Sequence, residues 1–210
     1  MEITTTALVA LALNSFLATS LTGRPLPHPG DQLAFELKTQ IQQKAKSCEA
    51  TFSLNVTAAL ENRDSLVVTS TTTQTVGPSG CGKPTNAIKS WHYRATDNAL
   101  MMVTECKTAD LSTCVSRDPV AEDQWQSPEA QANCKFVGTE PMQGPEGKLN
   151  THRYHCDNSA SVGGVALTDF WLDESYYPAY PIIKTAAQIE IPQYQVKMHV
   201  EQMLKSMKRN

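Results

Sequence analysis

From Thr51 the chain alternates strictly, with Phe52, Leu54, Val56, Ala58 and Leu60 apolar and Thr51, Ser53, Asn55 and Thr57 polar between them. A period of two puts one set on each face of an extended chain, so this stretch predicts a half-buried strand. Asn62-Arg63-Asp64 reads as a turn, and the β-branched run SLVVTSTTTQTV as the returning strand. Further along, AIKSWHYRAT and ALMMVTEC flank Asp97-Asn98, a tight hairpin signal. The runs CKFVGTE, THRYHC, VALTDFWLD and YPAYPIIKT follow one another with turn-rich breaks such as MQGPEGKLN and Gly163-Gly164. Strands in direct succession imply an antiparallel meander rather than a crossover fold.

Two stretches fit a helical period instead. Ala34, Leu37, Ile41 and Ala45 form a stripe behind Asp31, a residue that can cap a helix, and predict a helix over 32–46. Val196, Val200, Met203, Leu204 and Met207 predict a C-terminal amphipathic helix, with Lys205, Lys208 and Arg209 placed to complement its dipole. A short helix is expected near Pro128–Asn133. The fold class expected is therefore α+β: a strongly curved antiparallel sheet carrying an N-terminal and a C-terminal helix, stapled by disulfides.

The apolar run TALVALALNSFLA at residues 6–18 is short for a membrane span and leads to small residues at Ala18 and Ser20. Together they predict a signal peptide over 1–20 and one mature domain over 21–210. No Lys or Arg precedes Arg24, which departs from a typical leader; the six cysteines, an even set without metal-knuckle spacing, favour an oxidising, extracytoplasmic compartment, periplasmic or secreted. Cys106 and Cys114 lie close across a polar bend. Cys134 begins one strand and Cys156 ends the next, where the two arms of a hairpin meet. That leaves Cys48 with Cys81. A formal net charge of −3 with 19% charged residues offers no electrostatic footprint for nucleic acid.

No catalytic pattern stands out. Gly77 to Lys83 has the outline of a phosphate loop, but Pro84 follows the lysine where a magnesium-binding hydroxyl is required, so no nucleotide is expected. His152 and His155 point to opposite faces of a strand and cannot chelate one ion together. The expectation is thus no enzyme, no metal and no cofactor. Asn55-Val56-Thr57 is a glycosylation sequon, with Asn55 on the polar side of its strand. On the apolar sides, alternation offers Leu54, Val56, Trp91, Tyr93, Leu100 and Met102 as lining for a groove or as plain core.

The order of features from Cys134 to Lys184 resembles the half-barrel lipoprotein-carrier family, LolA-like proteins and their mycobacterial lipid-carrier relatives. The residues concerned are Val137-Gly138-Thr139-Glu140, Gly144, Arg153-Tyr154, Trp171-Leu172-Asp173 and Pro181-Ile182-Ile183-Lys184. The resemblance implies a half-barrel holding a lipid, an acyl chain or a lipidated protein in an apolar groove. The alternative is a disulfide-stapled secreted module without catalytic activity that binds a protein partner through 107–133 or Tyr176–Tyr180. A hydrolase is the remaining class, and no activated nucleophile supports it.

Overall fold

The computed structural model describes residues 25–44, 46–76, 87–106, 113–120, 123, 127–177 and 179–210. Residues 1–24, with the expected signal peptide, and the loop around Gly77–Lys83 lie outside them.

One antiparallel sheet of 11 strands makes up the fold. In chain order these are β1 (Gln32–Gln43), β2 (Lys46–Asn62), β3 (Ser65–Val76), β4 (Ala87–Arg94), β5 (Leu100–Cys106), β6 (Cys114–Arg117), β7 (Cys134–Gly144), β8 (Gly147–Asp157), β9 (Val165–Leu172), β10 (Ile182–Ile191) and β11 (Val196–Lys208). Strand order is β6-β5-β4-β3-β2-β1-β11-β10-β9-β8-β7. Two meanders are therefore joined where the first strand pairs with the last, and β6 and β7 form the two margins. Val103 on β5 and Tyr154 on β8, each next to a margin, belong to the same apolar cluster, so the sheet curls and closes an inner face.

The antiparallel meander expected from alternation is present, but both expected long helices are strands. The segment 32–46 lies mostly in β1, where Leu33, Phe35, Leu37, Thr39 and Ile41 are buried and their neighbours are not. The C-terminal segment is β11, with Val196, Met198, Val200, Gln202 and Leu204 buried in strict alternation. In each strand a polar residue, Thr39 or Gln202, occupies an inward position, so apolar residues alone gave a helix-like spacing. Pairing decides the matter: β1 is hydrogen-bonded along its length to β2 on one side and β11 on the other. The fold is thus sheet-dominated rather than α+β. Helical structure among the described residues is confined to short turns, such as Ser159–Val162 and the 3₁₀ turn Pro128–Ala130 that stands for the helix expected there.

Two disulfides staple the margins of the sheet. Cys106–Cys114 joins β5 to β6, and Cys134–Cys156 joins β7 to β8, both between directly paired residues. Cys48 is also disulfide-bonded; its expected partner, Cys81, lies outside the described residues.

Candidate functional site

The inner face carries two apolar clusters. The larger contains Leu33, Phe35, Leu54, Val68, Tyr93 and Ile183, among others. The smaller contains Leu37, Ile41, Phe52, Ala187, Met198 and Val200. Both lie on one face, because Leu33, Phe35, Leu37 and Ile41 are all inward positions of the same strand.

Of the residues offered by the sequence as groove lining, Leu54, Val56, Trp91 and Tyr93 are buried in the larger cluster, and Leu100 packs against it. Met102 does not share their face. Trp91 pairs with Val103 and His92 with Met102, but Tyr93 pairs with Leu100 across a register shift. The extra residue is Met101, 48% exposed. A bulge of this kind reverses the alternation, so Leu100 faces in while Met102 stands on the outer face beside His92.

The larger cluster is covered by the connection between β9 and β10. The backbone N–H of Asp173 donates to the Pro181 carbonyl at 2.9 Å, closing the neck of this loop. The Asp173 carboxylate accepts from the Ser175 N–H, the Ser175 hydroxyl and the Tyr176 N–H, which sets the first turn. Tyr176, Tyr177 and Tyr180 are buried as a result, and the Tyr180 ring lies 5.3 Å from that of Phe35. Tyr176–Tyr180 is therefore a cover over the core, not the exposed partner surface expected of it.

The cover is latched to both ends of the described chain. The Tyr177 hydroxyl donates to Asp31 at 2.6 Å, and the same carboxylate accepts the backbone N–H groups of Asn210 and His28. Arg209 donates to the Tyr176 carbonyl and stands over the Tyr176 ring at 5.4 Å. Burial pushes the Asp31 carboxyl up, but donation from Tyr177, Asn210 and His28 outweighs it and holds the group below the ordinary aspartate range. Burial and the Asp31 carboxylate drive the Tyr177 phenol far above its usual value. Asp31→Asn places an amide donor among these donors and should cost about 1–2 kcal/mol. A lowered carboxyl contributes stability above its unfolded pKa and loses it as pH falls through the folded one. Acid titration of the wild type should show that loss, and the variant's acid limb should be flatter. Superimposable acid limbs would exclude the latch.

At the β6 margin, the buried Asp123 carboxylate pairs with Arg117 and with Lys89 at 3.0 Å, while Glu105 pairs with the same two cations. Burial opposes ionisation of Asp123, but Arg117, the Val120 N–H and Lys89 hold its carboxyl far below the usual range. Two acids and two bases cancel there, so this part of the inner face carries charge without net charge.

Of the residues that carry the family resemblance, Tyr154, Leu172, Ile182 and Ile183 lie in the larger cluster, and Glu140, Arg153, Trp171 and Lys184 meet on the outer face. Trp171 lies between Arg153 and Lys184, at 5.1 and 5.2 Å, and its indole N–H donates to Glu140 at 2.9 Å. Arg153 also bridges Glu140 and Asp169, and His155 pairs with Asp169. These groups knit β7 to β10 and are satisfied by one another. His152 packs against Phe136 instead. Asn55, the sequon residue, is exposed on the outer face of β2. Among the described residues no group of three or more His, Cys, Asp or Glu side chains could hold a metal ion.

Two features have no counterpart in the sequence reading. The first is an open cleft of about 370 Å³ at the β1–β2 and β10–β11 hairpin ends, walled mostly by outward polar side chains such as Gln40, Glu49, Gln188 and His199. The second is the Gln202 side chain, 1% exposed, whose amide oxygen and nitrogen both lack a hydrogen-bond partner. A helical period over 196–208 hides both, because it gives neither the hairpin end nor the inward direction of Gln202.

No protein-family model matches the chain, and no curated protein matches it at a significant level. Solved structures do. One described as an exported protein with a YmcC-like fold from Bacteroides fragilis is 12% identical, with a TM-score of 0.34 over 89% of this chain and 99% of that one. A DUF1329 family protein from Desulfovibrio piger is 7% identical, with a TM-score of 0.23 over 95% and 92% of the two chains. A domain described as an outer membrane lipoprotein-sorting protein, from Vibrio parahaemolyticus, is 10% identical, with a TM-score of 0.27 over 96% and 92%. At these scores the likeness carries no argument about fold or function.

Proposed function

We propose that this protein is an extracytoplasmic binding protein that holds the acyl chain of a lipid, or of a lipidated protein, against the inner face of its curled sheet. One observation carries the reading: a single curled sheet bears two apolar clusters on its inner face, with a loop lying over the larger of them. Apolar surface presented in that way suits a long, flexible hydrocarbon better than a compact polar ligand. The margin disulfides support an oxidising compartment. Each methylene buried would contribute about 0.8 kcal/mol, so a chain of about a dozen carbons reaches micromolar affinity after ordering costs.

Titration of the purified protein with a fluorescent acyl probe, beside a thermal melt, tests the reading. Saturable micromolar binding that raises the melting temperature is expected, with lipid recovered by organic extraction and mass spectrometry. Absence of both would overturn it. A protein-binding role has its own observation: in the 107–133 segment Val115 and Val120 are 66% and 47% exposed. Failure of lipid binding, together with a protein interaction that Val115→Asp abolishes, would favour that reading.

A further inference from the structure

The unpaired amide of Gln202 sits between the two apolar clusters. Across the strands it pairs with Leu37 on β1 and Thr185 on β10, and two residues along its own strand lie Val200 and Leu204. Thr185 is 1% exposed, and Thr39, one inward position along β1, is 2% exposed and donates to the Ala50 carbonyl. A polar band thus lies between the two apolar clusters, and within it only the glutamine has neither donor nor acceptor satisfied. A buried amide in that state is costly, and a native fold tolerates it where another molecule completes its hydrogen bonds.

We propose that Gln202 is the anchor for a neutral carbonyl group, the ester or amide of an acyl lipid, bound with hydrocarbon on both sides of it. This rests on the acyl-binding reading above and names the ligand chemistry of that site. The flanking clusters argue for a carbonyl inside a hydrocarbon rather than at its end. Charge argues for a neutral group: Lys89 and Arg117, cations of the β6 margin, are already paired with Glu105 and Asp123, and the inward neighbours of Gln202 named above carry no charge. An ionised carboxylate would be buried there without a counter-ion. The amide Nε2 donates to the ligand carbonyl. From Gln202 to Met198, a member of the smaller cluster, the strand runs about 13 Å, enough to lay an acyl chain along that cluster.

The test measures displacement of a fluorescent acyl probe by three competitors of equal chain length: a fatty-acid methyl ester, the ionised fatty acid and the plain alkane. Wild-type protein should prefer the ester over the alkane by about tenfold, and the ionised acid should compete less well than the ester. Gln202→Met, close to isosteric, should bind the alkane as before and lose the ester preference, with a melting temperature no lower than wild type. Gln202→Leu serves as a second variant should the first fail to fold. An ester preference that survives in the folded variant, as when Gln202 is satisfied by water alone, overturns the anchor and leaves the acyl-binding reading standing. Failure of wild-type protein to bind any competitor or the probe overturns both.

Discussion

Leu54→Asp should leave no cooperatively folded protein, whereas Met102→Lys should melt within about 1 kcal/mol of wild type. A two-residue alternation would make these positions equivalent members of one apolar face. The structure separates them. Leu54 is 0% exposed and lies in the larger cluster, so a carboxylate there would be buried without a partner, at a cost above about 5 kcal/mol. Met102 is half-buried on the outer face, because the extra residue at Met101 reverses the alternation of β5. Circular dichroism melts of both variants check this. Comparable destabilisation by the two would mean that Met102 faces the core and that the bulge is misplaced.

Removing the Cys134–Cys156 bond by paired Ala substitution should cost about 3.5 kcal/mol, the loop-closure entropy of its 22-residue separation. The bond joins directly paired residues at the start of the β7 margin strand, and Cys156 is 1% exposed, so the substitution also loses buried packing. The loss should be local in character. Strand β7 has no neighbour on its other side among the described residues, whereas β8 keeps β9. Hydrogen exchange should therefore show β7 amides losing protection while β1, β2 and β11 keep theirs. Loss of protection throughout the sheet would show that the margin folds with the centre as one unit.

The hairpins, the meander and two of the disulfides were legible because local signals carry them. Alternation in Thr51–Ala58, the Asp97-Asn98 turn and the placing of Cys134 and Cys156 at matching ends of adjacent strands all depend on residues near one another in the chain. Among the groove candidates, Leu54, Val56, Trp91 and Tyr93 could be placed on an inward face from period two alone. Met102 could not, since nothing in ALMMVTEC says which residue the bulge takes up.

What the sequence determined by itself is the strand-rich, antiparallel character of the chain, the facing of most apolar residues and the oxidised state that its cysteines suggest. These are local, as side-chain direction follows from the backbone period and a hairpin bond needs only two adjacent strands. Tertiary structure alone decided the conformation of the first and last elements. Leu33 to Ile41 and Val196 to Leu204 each contain one inward polar residue, and the apolar spacing left over suits a helix as well as a strand. Pairing between β1 and β11, at opposite ends of the chain, resolves that ambiguity by satisfying a whole ladder of backbone groups that helices would satisfy internally. The same pairing turns Gln202 inward, between Leu37 and Thr185, and so creates the unpaired amide on which the proposed ligand site depends.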